Sequence, residues 1–206
     1  MSEPLNLSCA ILAGGRSTRM GVDKSTIILA GQTLLERIGR LARRICHDIF
    51  VVGRTIPHDW PSELAVSFLP DEPSTAAGPI VGICTALSAA GSPVLILACD
   101  MPLLTESTLH QLIQAHIAAN HPAATMAATL DDSGIRRAEP LLAIYAPAIL
   151  PILQGRLAAH QLSLQQLVTR ADVHAWEFPP SIQHELLNVN DPGALAQAQR
   201  YFDTTP

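Results

Sequence analysis

Five short, uninterrupted apolar runs, each followed by a more polar stretch, constrain this chain more than any other feature. Cys9 to Ala13, Ile49 to Val52, Val66 to Leu69, Val94 to Ala98 and Thr125 to Ala128 read as strands buried on both faces. Between them, Thr33 to Cys46 places Leu34, Leu35, Ile38, Leu41, Ala42 and Ile45 at helical spacing along one face. Ile80 to Ala89 and Glu106 to Ala119 read the same way, with Thr105 as the predicted N-cap of the second and Pro102 ending the strand before it. Strand and helix alternating in this order predict an α/β fold with a mostly parallel central sheet covered on both faces.

Beyond about Ser133 the pattern changes. Glu139 to Tyr145 reads as a strand, Ala148 to Leu153 and Ser163 to Val168 as short helices, and Val173 to Phe178 as an edge strand, together expected to form a lobe packed on the sheet. A last helix is predicted from Asp191-Pro192, an N-cap followed by proline at the first helical position, to about Phe202. With 206 residues and 48% hydrophobic content, one domain spanning 1–206 is expected.

Composition narrows the function classes. No run approaches the roughly 18 uninterrupted apolar residues of a membrane span, and the N-terminus lacks the basic segment of a secretory signal. A cytoplasmic protein with no membrane partner is expected. The formal charge of -5 supplies no general positive field for nucleic acid, so any anion must be held by a local site. Cys9, Cys46, Cys84 and Cys99 form no CxxC or Cys/His cluster and read as buried free thiols. Of the eight histidines, His47 reads as lying near a helix end and His58, His110, His116, His121, His160, His174 and His184 as surface or loop residues, none catalytic.

Four segments carry chemistry. The first strand leads into Leu12-Ala13-Gly14-Gly15-Arg16-Ser17-Thr18-Arg19-Met20-Gly21-Val22-Asp23-Lys24, at the carboxyl end of a strand where open α/β sheets bind ligands. Gly14 and Gly15 let backbone N–H groups approach a polyphosphate, and Arg19 and Lys24 can neutralise it. The spacing matches neither a Walker loop nor GxGxxG, which disfavours an ordinary P-loop ATPase or dinucleotide-binding dehydrogenase. A solvated glycine-rich turn is the competing reading of this segment. Asp100, in Cys99-Asp100-Met101-Pro102 after the strand Val94-Leu95-Ile96-Leu97, suits a hard cation such as magnesium, or else caps a turn. Asp71 and the segment Gly78-Pro79-Ile80-Val81-Gly82 mark a loop entering a helix. Asn188 and Asn190, expected on one face by strand alternation, precede the last helix as ligand contacts or as cap residues.

Taken together and in order, LAGGRSTRMGVDK at 12–24, GPIVGI at 78–83, CDMP at 99–102, EPLLAIY at 139–145 and NVNDP at 188–192 resemble the molybdenum cofactor guanylyltransferase family, from about Ala10 to Phe202. The resemblance implies a three-layer Rossmann-like nucleotidyltransferase fold, with a nucleotide-binding part over about 8–132 and an acceptor-side part over about 133–206. It implies transfer of GMP from GTP to the phosphate of molybdopterin with release of pyrophosphate. Leu12, Ala13, Gly14, Gly15, Lys24, Asp71 and Asp100 would then bind nucleotide, Arg19, Lys24 and Asp100 would be catalytic, and Asp100 would hold Mg2+. Gly78, Gly82, Arg137, Asn188 and Asn190 would form the acceptor side, with Arg136 and Glu139 as further candidates there. GTP and molybdopterin are the implied substrates, and a molybdenum-insertion protein and apo-molybdoenzymes or their chaperones the implied partners.

Gly15 and the Cys99-Asp100 pair favour guanine over the related molybdopterin cytidylyltransferases, which usually carry LAAG in the loop. Two departures from the family stand out. Val51-Val52-Gly53-Arg54 replaces an asparagine-bearing segment, so that nucleotide contact is not carried over, and Asp191 replaces the commoner threonine of the last motif. An acceptor phosphate, with a second pKa of about 6, is largely ionised near neutrality and demands no general base. The alternatives are a cytidylyltransferase, a guanylyltransferase for another phosphorylated metabolite such as a sugar phosphate or cobamide-type precursor, and a non-catalytic nucleotide- or cofactor-binding carrier.

Overall fold

A computed structural model describes residues 6–14, 23–69, 78–131 and 133–204. Strands β1 (Ser8–Leu12), β4 (Ile49–Val52) and β6 (Val94–Ala98) form the centre of the molecule, and short strands β2 (Ile28–Leu29) and β3 (Gln32–Thr33) make a separate hairpin. With β5 (Ser67–Leu69), β7 (Ala124–Leu130), β8 (Arg136–Tyr145) and β9 (Val173–Glu177), the main sheet has seven strands in the order β5-β4-β1-β6-β8-β7-β9. Every pairing is parallel except the two made by β8. The five apolar runs expected as strands are these parallel strands, within two residues at each end.

Helices α1 (Leu34–Ile45) and α3 (Glu106–Ala118) cover one face of the sheet. They bury Leu35, Ile38, Leu109 and Leu112 against Cys9, Ile11, Ile49, Val51, Leu95 and Leu97. The opposite face carries α2 (Pro79–Ala90) and α4 (Leu150–Ala158), packed through Ile80, Ile83, Leu87 and Leu153 against Ala10, Val52, Val94 and Ile96. Successive residues of β1 thus serve opposite cores, as the period of two in a strand requires.

Local signals start the helices where the sequence places them. Thr33 closes a capping box with Glu36 at the start of α1. Thr105 caps α3, and its own N–H and hydroxyl are taken by the buried carboxylate of Glu185 at 2.8 and 3.1 Å. The Asp191 carboxylate accepts from Ala194 N at 2.9 Å as α5 (Pro192–Thr204) begins. α5 packs on the β2–β3 hairpin and joins Leu29, Leu34, Leu103, Val189 and Ala198 in a third, smaller core.

Three expectations are revised. The residues after Ser133 do more than pack on the sheet, because β8 is inserted within it between β6 and β7, where Leu142, Ala143 and Ile144 supply a fully buried strand. The short helix expected over Ser163 to Val168 is a five-residue 3-10 helix, and it covers Gln165–Thr169. His116 is not a surface residue. It is fully buried on α3, with Nδ1 at 2.9 Å from Thr125 Oγ1.

Candidate active site

The chain passes from β1 to β4 and β5 on one side of the sheet, then crosses back to β6 on the other. Such a change of direction opens a crevice at the carboxyl ends of the strands. Ala13 N–H donates to Val52 O at 2.9 Å and Cys99 N–H to Leu12 O at 3.4 Å, so the sheet grips the chain as far as Ala13. Gly14 is the first exposed residue beyond it. The Leu12 and Ala13 backbones are thereby largely committed to the sheet. Gly15, Arg19 and Asp71 lie outside the described residues.

Three side chains from distant segments converge at this crevice. Lys24 Nζ donates to Asp100 Oδ2 at 2.8 Å and also to Asn190 Oδ1, with the Lys24 and Asp100 side chains only 23% and 16% exposed. Each arrives by a separate device. Lys24 opens a 3-10 turn over Lys24–Thr26 whose N-cap, Asp23, accepts from Ser25 N at 3.0 Å and Ser25 Oγ at 2.7 Å. Asp100 follows the last residues of β6, which has no exposed position. Asn190 is carried by Val189, whose side chain is wholly buried in the third core and whose N–H donates to Asp100 O at 2.8 Å.

A second ion pair adjoins the first. Arg54, just beyond β4, donates to Asp23 Oδ2 at 2.7 Å. Burial first, then the Asp100 and Asp23 charges, push the Cys99 thiol up to about 12 against the opposing Lys24 and Arg54 charges. Asp23 and Lys24, adjacent in sequence, link the two ion pairs into one run of alternating charge. Burial first, and then the Asp100 charge, raises the Glu139 carboxyl above the usual range. A register shift adjoins Glu139 in β8, since Met126 faces Ala143 but Ala127 faces Glu139. The Tyr145 hydroxyl holds Pro140 O at 3.0 Å and the Gln165 amide brackets the Ala138 backbone at 2.6 and 3.1 Å, bracing this irregularity.

The remaining sequence candidates fall elsewhere. Gly78 adopts φ 116° as the N-cap of α2, a conformation that favours glycine, but it touches none of the converging side chains. Gly82 is buried; a Cβ there would lie 3.1 Å from Leu12 Cδ2 and 3.6 Å from Val52 Cγ1, so its lack of a side chain serves close helix–sheet packing. Arg137 is 68% exposed and pairs with Asp131 at 3.1 Å, while Arg136 is simply exposed. Residues 187–190 form no strand, and the two asparagines differ: Asn188 donates to Leu186 O at 3.2 Å, whereas Asn190 accepts from Lys24. Arg54 and Asp23 are the members that sequence reasoning missed. Their signals were weak: Arg54 is a charged residue just past β4, and Asp23 directly precedes Lys24 at the end of the glycine-rich segment.

The oxygen set can be tested against a divalent cation. Asp100 and Asn190 present a carboxylate and an amide oxygen to a common cation, the Lys24 ammonium. Hard oxygens of this kind, few enough to leave room for water and phosphate, fit Mg2+. Among the described residues no group of three or more His, Cys, Asp or Glu gathers to make an all-protein cage.

Comparison with known proteins agrees with the fold. The model of the MobA-like NTP transferase domain matches residues 9–174. A probable molybdenum cofactor guanylyltransferase of Chloroflexus aggregans is 32% identical over the whole of this chain and 99% of its own length. A molybdenum cofactor guanylyltransferase of Pseudomonas putida is 30% identical over 91% of this chain and 95% of its own. Among solved structures, the molybdopterin-guanine dinucleotide biosynthesis protein A of Archaeoglobus fulgidus superposes with a TM-score of 0.77 at 22% identity, covering 96% of this chain and all of that one. The 2-C-methyl-D-erythritol 4-phosphate cytidylyltransferase of Thermus thermophilus reaches 0.71 at 17%, covering 97% and 100%, and at these identities the two structures speak for the fold alone. With the family model spanning most of its length, this chain belongs to the MobA-like NTP transferase family.

Proposed function

We propose that this protein transfers GMP from GTP to the terminal phosphate of molybdopterin, releasing pyrophosphate and forming the guanine dinucleotide of the cofactor. The observation that carries the reading is the convergence of Lys24, Asp100 and Asn190 at the carboxyl ends of β1 and β6. Relatives named for this activity, similar over nearly the whole chain, support the choice of substrates.

In the reaction an oxygen of the acceptor phosphate forms a bond to the α-phosphorus of GTP as the bond from that phosphorus to the β-bridging oxygen breaks. The leaving pyrophosphate takes the electron pair. Lys24 neutralises charge on the phosphate chain, and Gly14, exposed just past the sheet, leaves room for it to approach. Asp100 and Asn190 are the residues that would hold Mg2+, which would neutralise phosphate charge and fix the nucleotide's orientation. Asp100 and Asn190 supply the same two oxygens that Lys24 now holds, so they would be available to the cation when Lys24 engages phosphate. The crevice thus supplies positioning and electrostatic stabilisation, and the acceptor phosphate brings its own ionised oxygen.

Residues 133–206 supply Asn190 to the site, which supports assigning the acceptor side to this part of the chain. No helix among the described residues is long and apolar enough to cross a membrane, and the four cysteines are free and buried. Free thiols accord with a cytoplasmic setting, where a molybdenum-insertion protein and apo-molybdoenzymes or their chaperones would exchange substrate and product with it.

Magnesium-dependent pyrophosphate release with molybdopterin as acceptor, run in parallel with GTP, CTP, ATP and UTP, tests the assignment. Release with GTP alone is expected. Release with CTP alone would move the activity to cytidylyl transfer, and silence with all four would overturn the choice of acceptor.

A further inference from the structure

Arg54 has no role in the reaction described above, yet it reaches from just past β4 to the turn bearing Lys24. Its guanidinium meets Asp23 Oδ2 at 2.7 Å and is itself mostly covered, with 20% of the side chain exposed. Asp23 divides its carboxylate between two tasks: Oδ2 faces Arg54, while Oδ1 takes both the amide and the hydroxyl of Ser25. The Asp23 carbonyl also accepts from Thr26 Oγ1 at 2.8 Å and Thr26 N at 3.1 Å, so this residue ties both ends of the turn that Lys24 opens. Gly53, with φ 92°, turns the chain just before Arg54, and its N–H is held by Leu69 O at 2.9 Å. The anchor thus rests on the edge of the sheet and not on a free loop.

We propose that Arg54 is a positioning residue that acts through Asp23 to aim the Lys24 ammonium at the phosphate site. The physical reason is entropic and directional. A lysine has four rotatable side-chain bonds, and its aim depends on the orientation of the backbone that carries it. The Arg54–Asp23 pair pins the turn to β4, while Asp100 and Asn190 receive the ammonium beyond β6. Lys24 therefore sits between two fixed points on opposite sides of β1. Alternation of charge along Arg54, Asp23, Lys24 and Asp100 gives each cation an acidic neighbour, so neither is drawn to the other's partner.

The inference rests on Lys24 being a phosphate ligand, and its test separates the two ideas. Binding of inorganic tripolyphosphate and of a fluorescent N-methylanthraniloyl GTP is measured without acceptor for wild type, Arg54→Ala, Arg54→Lys, Asp23→Asn, the Arg54→Ala/Asp23→Asn double variant and Lys24→Ala. Asp23→Asn keeps an oxygen for Ser25 but loses the charge that Arg54 holds. Arg54→Ala and Asp23→Asn are each expected to weaken tripolyphosphate binding about fivefold, and their combination also about fivefold instead of about 25-fold, because both remove one interaction. Arg54→Lys should recover affinity to within about twofold, and melting temperatures should stay close to wild type. Weakening by Arg54→Ala with Asp23→Asn unaffected, or multiplicative loss in the double variant, would mean that Arg54 touches phosphate itself and would overturn the proposal. Unchanged binding in both single variants would also overturn it. Unchanged binding in Lys24→Ala would instead remove the phosphate role of Lys24 on which both readings stand, and failure of guanylyl transfer with the coupling intact would sink only the choice of substrates.

Discussion

The amide of Val189 donates to the carbonyl of Asp100 at 2.8 Å, and this backbone bond sets Asn190 beside Asp100 before either side chain takes part. Because Val189 is fully buried with Leu29, Leu34, Leu103 and Ala198, the third core fixes the bond in place. The oxygen pair that receives Lys24 is therefore a property of packing between the end of β6 and the entry to α5, not of a flexible loop.

Asp100→Asn preserves the shape of the side chain and an oxygen for Lys24 but removes the charge. A fall in kcat of about 100-fold or more is expected, since the charge acts on the reacting phosphates. Steady-state pyrophosphate release, with circular dichroism to confirm the fold, checks it.

Lys24→Ala and Asn190→Ala should differ in size. Loss of the ammonium removes the positive charge aimed at the phosphates and should raise KM for GTP while lowering kcat. Loss of one neutral amide oxygen should cost at most about tenfold in kcat/KM, the range of a single hydrogen bond. Equal defects in the two variants would contradict this ordering.

Gly82→Ala should act on stability and leave acceptor affinity alone. The added methyl would meet Leu12 Cδ2 at 3.1 Å, and α2 lies directly on the sheet there. A loss of about 1–3 kcal/mol is expected from overpacking, read as a lower denaturation midpoint at unchanged m-value.

His116 should make the protein acid-sensitive. Burial first, then the charges of His121 and His174, lower its pKa to about 4, against about 6.5 for an exposed histidine. The unfolded chain takes up a proton below about pH 6.5 while the folded one resists until about pH 4. The stability that comes from keeping this ring neutral is fully present above that window and is lost as pH falls through it, by up to about 3 kcal/mol. Urea midpoints between pH 4 and 7 should fall with pH in wild type and less steeply in His116→Leu, which is less stable at pH 7 because the Thr125 hydroxyl loses its partner.

The four thiols should resist alkylation in the native protein at pH 8. Burial pushes Cys46 and Cys99 up to about 12 and Cys84 to about 11, and raises Cys9 as well. Thiolate is the reactive form, so iodoacetamide labelling should be slow until denaturant is added and should then reach all four.

The sequence by itself determined the elements whose signal is local. Apolar runs long enough for a strand and too short for a helix identified β1, β4 and β6, and Thr33, Thr105 and Asp191 announced their helices because a cap needs only its own next few residues. Lys24 and Asp100 were legible for the same reason: each follows a strand at the end of the sheet where ligands gather. Tertiary structure decided what depends on segments distant in sequence. The insertion of β8 between β6 and β7 is invisible locally, since a strand buried on both faces looks alike in any position and orientation. Burial of His116 depended on its meeting Thr125 of β7, and Gly82 took a packing role because α2 lies against Leu12. Asn188 and Asn190 parted company because the buried side chain between them, Val189, and its bond to Asp100 turn the segment away from strand geometry. The Arg54–Asp23 pair emerged only in three dimensions, where the turn that Asp23 caps meets the residue just past β4, for an ion pair records distance in space, and one-dimensional pattern carries no measure of that.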